Sequence, residues 1–289
     1  MKYVEETTLF SCQGETLLGI LAIPETSAET GVIVVVGGPQ YRVGSHRQFV
    51  LLSRALASAG YAILRFDYRG MGDSEGHQRD FQSVSADIAA AINSLQARVP
   101  NAKTIVLWGL CDGASAALLY CTMTQDPRVT GLCLLNPWVR SEASLAKTQV
   151  KHYYTRRLMQ KAFWGKLVRG KISVGALRGF FQRIRLTLSD PNQPATAQRF
   201  QERMAEAWCH FPGQILLVLS GEDYTAKEFW EYVNVATEWK NAMAHPRLVR
   251  CDAQGVDHTF SSAASRMTVE GRTLGWLRSW VAGSQVDTE

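Results

Sequence analysis

Apolar residues recur along this chain in two periods. Residues 31–36 form an uninterrupted, mostly β-branched run (Gly-Val-Ile-Val-Val-Val), closed by Gly37-Gly38-Pro39. Such a run fits a strand buried on both faces, as in a parallel sheet. Comparable short runs occupy 61–66, 104–108, 129–135, 214–219 and 246–251. Between them, helical spacing predicts helices over 47–59, 83–97, 114–124 and 227–243, and a closing amphipathic helix that includes 274–281. A looser alternation over 9–23, with Gly14 and Gly19, predicts an opening β-hairpin. Strands alternating with helices imply an α/β fold, a mostly parallel central sheet with helices on both faces.

The alternation lapses between 135 and 215. We read residues 1–138 and 211–289 as the core and residues 139–210 as a helical insertion. Composition sharpens that division. The 289 residues carry 31 Lys and Arg against 26 Asp and Glu, a net charge of +5. Residues 140–185 alone hold 12 bases and one acid, Glu142, a surplus of 11. The other 19 bases face 25 acids, so the rest of the chain is −6. Aromatic residues interleave with these bases: Tyr153, Tyr154, Phe163, Trp164, Phe180 and Phe181.

The overall balance, 46% hydrophobic and 20% charged, is that of an ordinary globular protein. No apolar run approaches the roughly 18–20 residues of a membrane span. Glu5 and Glu6 stand where a secretory leader needs an apolar stretch. The six cysteines (12, 111, 121, 133, 209, 251) include no C-x-x-C pair. These features point to a reduced, cytoplasmic protein.

The candidate chemistry lies at Gly109-Leu110-Cys111-Asp112-Gly113, between a predicted strand and a small-residue helix. This is the pattern of a nucleophile elbow with Cys in place of Ser. The nucleophile sits on a sharp turn, so its neighbours two positions away must lack bulk. The N–H groups and positive dipole end of the following helix favour the reactive thiolate. The bland alternative is a buried structural cysteine in a tight turn. Ser115 is a rival nucleophile, but it lies a helical turn further on.

Context favours the elbow. Asp67-Tyr68-Arg69-Gly70-Met71-Gly72-Asp73-Ser74-Glu75-Gly76 follows the strand at 61–66, and Gly37-Gly38-Pro39 follows that at 31–36. In this order the three motifs resemble the α/β-hydrolase superfamily, in its serine aminopeptidase/lysophospholipase-like branch. The longer strings at 37–46 and 109–116 are most similar to the type 1 hydrolases associated with bacterial exosortase A and exopolysaccharide systems.

The resemblance implies a triad in the order nucleophile, acid, histidine. Of six histidines only His258 follows the last predicted strand, in Gly255-Val-Asp-His258. Asp223, in Ser220-Gly-Glu-Asp223 after the strand at 214–219, is the expected acid. Glu222 is its nearest competitor, with Asp252 and Asp257 weaker ones. A helix N-cap is the structural alternative for this acidic pair. By the same resemblance the Gly38 and Asp112 N–H groups form the oxyanion hole. Pro39 has no N–H to offer. Gln40, Arg42 and His46 are candidates for contact with substrate.

The expected activity is acyl hydrolysis of an ester or thioester through a covalent intermediate on Cys111. The alternatives are acyl transfer from a CoA or carrier thioester to an amine or hydroxyl, and a non-catalytic binding module. By resemblance the basic insertion is a lid over the elbow. It is either a solvated amphipathic cover, a dock for an anionic carrier, or a helix resting peripherally on anionic lipid. Nucleic acid is disfavoured, because no recognised binding motif accompanies the charge. No residue spacing indicates a metal site, and no cofactor is expected.

Overall fold

Residues 1–26, 28–38, 40–140 and 199–283 are described by a computed structural model. Within them, eight strands form one sheet in the order β1-β2-β4-β3-β5-β6-β7-β8. The strands are β1 (Tyr3–Cys12), β2 (Glu15–Pro24), β3 (Thr30–Val35), β4 (Ala62–Phe66), β5 (Thr104–Leu110), β6 (Val129–Leu135), β7 (Gln214–Ser220) and β8 (Leu248–Ala253). The pairs β1/β2 and β2/β4 are antiparallel, and every pair from β4 through β8 is parallel. The helices are α1 (Gln48–Ser58), α2 (Ser85–Arg98), α3 (Asp112–Thr124), α4 (Phe200–His210), α5 (Tyr224–Val235) and α6 (Ala263–Gly283).

The sheet is sandwiched between two apolar layers. One holds Leu64, Ile88, Leu107, Leu119 and Trp208, and the other Val34, Phe49, Ile63, Trp108 and Trp276. Alternate residues of β3 and β5 feed opposite layers, so both strands are apolar beyond their opening threonines.

Chain order reverses at β3. The chain steps from β3 to β4 on one side, then returns to β5 on the other. Connections from the carboxyl ends of β3 and β5 therefore diverge, leaving a crevice at this switch point. Val35 pairs with Gly109, Leu135 with Val218, and Ser220 with Ala253. The carboxyl ends of β3, β5, β6, β7 and β8 thus lie along one edge of the sheet.

Several predicted bounds shift. The hairpin begins at Tyr3, not residue 9, because β1 is an edge strand whose outer residues are polar. The helix expected over 227–243 spans Tyr224–Val235 and ends where Ala236 turns extended. Trp208 Nε1 donates to the Ala242 carbonyl at 2.8 Å, and Trp208 packs edge-on to Trp239 at 5.6 Å. These contacts hold the following stretch in two 3₁₀ turns instead of a continued helix. The last helix starts at Ala263, capped by Ser262 Oγ, which accepts the Ser265 N–H at 3.0 Å.

The insertion expected over 139–210 is described only at its ends. Residues 141–198, and with them the basic-aromatic stretch, lie outside the described residues. Phe200–His210 is a core helix instead. Met204 and Trp208, one turn apart, are fully buried, and the Arg203 carbonyl accepts from Thr122 Oγ1 of α3 at 2.8 Å. The core unit therefore resumes at Arg199 and not at 211. Gln201 Nε2 donates to the Val139 carbonyl at 3.1 Å, which holds the two junctions of the inserted stretch together.

Candidate active site

Cys111 occupies the one-residue turn between β5 and α3, at φ 60°, ψ −127°. Few non-glycine residues hold such a conformation, and strain of this kind persists where the surroundings enforce it. Here they do. The Cys111 N–H donates to the Leu135 carbonyl at 2.9 Å, and its carbonyl accepts the Ala114 N–H at 3.1 Å. Gly109 and Gly113 admit the turn: a Cβ on Gly109 would meet the Ala114 nitrogen at 2.6 Å, and one on Gly113 would collide with the Val35 carbonyl. The thiol is partly exposed at the N-terminus of α3.

Ser115 is fully buried and committed elsewhere. Its Oγ donates to the Trp138 carbonyl at 2.7 Å and accepts the Trp138 N–H at 2.9 Å. It secures the chain beyond β6 to α3, with its Oγ also 3.5 Å from the Cys111 carbonyl.

His258 Nδ1 and Asp223 Oδ2 are 2.7 Å apart. The other carboxylate oxygen, Oδ1, accepts the Thr225 N–H at 2.9 Å. Asp223 is therefore both the cap of α5 and the partner of His258, one oxygen for each. It is 4% exposed, so little solvent competes for it. The bond to Asp223 pushes the His258 pKa above its usual value. Burial opposes the rise, and the nearby negative charges of Asp223, Asp112 and Asp257 reinforce it.

The rival acids are placed otherwise. Glu222 is exposed. Asp252 pairs with Arg250 at 2.9 Å. Asp257 Oδ1 accepts the Ser261 N–H at 2.8 Å.

The glycine turn after β3 lies against the elbow: a Cβ on Gly37 would collide with the Leu110 carbonyl and meet the Gly113 nitrogen at 2.7 Å, and Gly38 follows at φ +61°. The Asp112 side chain tucks against this turn, since a Cβ on Gly37 would collide with Asp112 Oδ1. Burial raises the pKa of that carboxyl, while the Gly38 and Gly113 N–H groups act to lower it. Gln40 Oε1 accepts the Ser45 N–H at 3.3 Å, so its carbonyl end is used within the loop. His46 is exposed. Arg42, a candidate for substrate contact, donates its guanidinium to Asp67 and, at 2.5 Å, to Asp73.

Asn136 went unmarked in the sequence. Fully buried at φ 45°, it donates from Nδ2 to Ser220 Oγ at 2.9 Å and accepts the Ser220 N–H at 2.8 Å. It thereby pins the start of the loop that carries Asp223. Its one local signal was an Asn-Pro pair ending a strand.

Among the described residues no three His, Cys, Asp or Glu side chains group as a metal site. None of the described helices is long and apolar enough to cross a membrane. The six cysteines form no disulfide. Burial pushes the Cys121 thiol up to about 12 and that of Cys133 higher still, which keeps both unreactive.

A strained elbow after β5, an acid after β7 and a histidine after β8, on this strand order, define an α/β-hydrolase. Residues 28–206 match the serine aminopeptidase, S33, family, and the chain belongs to it. Relatives include the zebrafish (Danio rerio) lysophosphatidylserine lipase ABHD12, 32% identical over 91 residues, covering 32% of this chain and 23% of that one. The quorum-quenching protein AidA of Acinetobacter baumannii is 36% identical over 117 residues, 38% of this chain and 36% of AidA. The matched stretches thus span only about a quarter and a third of these relatives. The Pyrococcus furiosus esterase Pf2001 superposes with a TM-score of 0.62 at 16% identity, covering 96% of this chain and 93% of the esterase. Est1E from Butyrivibrio proteoclasticus, solved with ferulic acid, gives 0.62 at 15% identity, over 95% and 99%. At these identities the structures share the fold.

Proposed function

We propose that this protein is an acyl hydrolase that cleaves an ester or thioester with Cys111 as nucleophile, His258 as base and Asp223 as orienting acid. The observation that carries the reading is the 2.7 Å contact between His258 Nδ1 and the buried Asp223 carboxylate. With the Nδ1 proton held there, Nε2 presents a lone pair to the Cys111 Sγ–H. The thiolate attacks the acyl carbonyl and a carbon–sulfur bond forms. The oxyanion rests on the Gly38 and Asp112 N–H groups. Collapse breaks the bond to the leaving oxygen or sulfur, which takes the proton from His258. Water, deprotonated by His258, then attacks the Cys111 thioester and releases the acid and the free thiol.

The lipase and esterase names among the similar proteins support an ester-type substrate. The cysteine distinguishes this chain from the serine of the family's name. The strings at 37–46 and 109–116 support membership of the exosortase A-associated hydrolases. Free thiols fit a cytoplasmic location.

A second reading, acyl transfer, draws on the surplus of 11 positive charges over 140–185. That charge suits the phosphates of a CoA or carrier thioester, and a thioester on Cys111 keeps its acyl group transferable.

The test is intact-mass spectrometry after exposure to aryl esters and acyl thioesters. The expected result is one acyl adduct, absent in Cys111→Ala and failing to accumulate in His258→Ala. Full turnover by Cys111→Ala would overturn the proposal. Diversion of product by added amines or alcohols would select transfer over hydrolysis.

A further inference from the structure

The segment of residues 40–47 leads from the turn at Gly38 into α1. It is conformationally costly. Gly38, Gly44, His46 and Arg47 all have positive φ (61°, 71°, 53° and 61°). His46 and Arg47 are consecutive non-glycine residues in the left-handed region, a state that persists only where neighbouring structure enforces it. Several ties within the segment are local: Gly44 N–H to Tyr41 O at 2.9 Å, Phe49 N–H to Val43 O at 3.2 Å, and Ser45 N–H to Gln40 Oε1.

Arg42 reaches further. Its backbone N–H donates to Asp67 Oδ1 at 2.7 Å. One guanidinium nitrogen bonds Asp67 Oδ2, and the other bonds Asp73 Oδ2 at 2.5 Å. Asp67 follows β4, the strand beside β3, and its side chain is fully buried. The Asp73 N–H donates to the same carboxylate at 3.1 Å, and Ser74 Oγ donates to the Asp67 carbonyl at 2.8 Å. Asp67 is thus a fixed anion on a rigid strand end. A buried carboxylate requires this kind of charged, forked donor, and a planar guanidinium fixes direction as well as distance.

We propose that Arg42 is a positioning residue for the oxyanion turn: by clamping the segment after Gly38 to Asp67, it holds the Gly38 N–H where the acyl oxyanion forms. The proposal rests on the Cys111 reading above. It gives the Asp67–Gly76 motif a role in acylation, transmitted through Arg42.

Two reactions of Cys111 separate this role from a merely structural one. Acylation by an aryl ester passes through an oxyanion, whereas alkylation by iodoacetamide displaces iodide at a saturated carbon and forms none. The variants are Arg42→Met, which removes the fork, and Arg42→Lys, which keeps one charged donor. Arg42→Met is expected to slow Cys111 acylation by about 10- to 100-fold, somewhat less than outright loss of an oxyanion donor. It should weaken inhibition by an aldehyde, whose thiohemiacetal needs the same N–H, by a similar factor. Alkylation by iodoacetamide should stay near wild type, whereas the melting midpoint should fall, because Arg42→Met leaves the buried Asp67 carboxylate without its charged donor, so both rates are read well below the melt. Arg42→Lys should fall between Arg42→Met and wild type, and it carries the measurement if Arg42→Met does not fold.

The proposal is overturned if a folded variant is acylated as fast as wild type. It is also overturned if acylation and alkylation slow together. Failure of wild type to acquire an acyl group on Cys111 would instead sink the parent reading, before any variant is made.

Discussion

Asp223→Asn isolates the charge of the proposed triad acid while keeping its shape. The amide oxygen can still accept the Thr225 N–H that Asp223 now binds at 2.9 Å, so the cap of α5 survives and the expected stability loss is within about 1 kcal/mol. The cost falls on His258. With charge centres about 4 Å apart and an effective dielectric near 20, the carboxylate stabilises an imidazolium by about 4 kcal/mol. His258 is 33% exposed at its side chain, and solvent screening cuts this to about 2 kcal/mol. That corresponds to about a 30-fold loss of kcat. The amide NH₂ also turns toward Nδ1, which favours the tautomer with its proton on Nε2. Such a swap costs a serine triad about 10⁴ in kcat, so about 30-fold is the floor.

The pH profile supplies a second signature. His258 is pushed above its usual pKa, first by the bond to Asp223. A base must be deprotonated to act, so activity should fall as pH drops through that raised value. In Asp223→Asn this acid limb should move to lower pH. A folded-state pKa raised in this way adds stability below the unfolded value near 6.5, and that stability is lost as pH rises through the folded value. Urea unfolding should therefore separate wild type from Asp223→Asn more at pH 6 than at pH 9. Hydrolysis of a p-nitrophenyl ester across pH, with urea melts, measures both effects. A variant within about threefold of wild type, with an unmoved acid limb, would refute Asp223 as the orienting acid.

Ser115→Ala should leave acylation of Cys111 intact while costing about 1–3 kcal/mol in urea melts, because it strips both hydrogen bonds from the Trp138 backbone. Loss of acylation in a folded Ser115→Ala would return Ser115 to candidacy as nucleophile. Asn136→Ala should cost about 1–3 kcal/mol by orphaning Ser220. Because Ser220 starts the loop bearing Asp223, it should also lower kcat more than it changes KM; an unchanged kcat in a folded variant would free the loop from Asn136.

What was legible in the sequence followed from local chemistry. The runs of β3, β5, β6 and β7 are apolar because both sheet faces are covered, and that pattern survives any detail of packing. Cys111 and Asp223 were nominated because each follows such a run, and His258 because it follows the last strand. The edge strand β1 was read short because its solvent face is polar. Helix α4 was assigned to the insertion because charge drew the boundary, although Met204 and Trp208 at i, i+4 already carried the stripe of a core helix. The Arg42 clamp was not legible because its partners stand 25 and 31 residues away, and a free guanidinium and a clamped one look alike in sequence. Asn136 matters through a left-handed backbone and a neighbour 84 residues distant, neither of which a residue type announces.

The elbow separates two contributions that the family name joins. The strain at Cys111, the glycines beside it and the N-terminus of α3 act on whichever atom occupies the tip. Sulfur changes the demand on the base. A thiol ionises nearer to neutral pH than a hydroxyl, so in the proposed mechanism His258 has less work in attack. The acid loop is nevertheless built tightly: Asn136 locks Ser220, Asp223 is buried, and each of its oxygens is committed. A thiolate relieved of the need for a strong base would still require His258 to protonate the leaving group and to deprotonate the incoming water. The tight Asp223–His258 pair therefore weighs toward a complete acyl-transfer cycle, and against a bystander thiol in a strained turn.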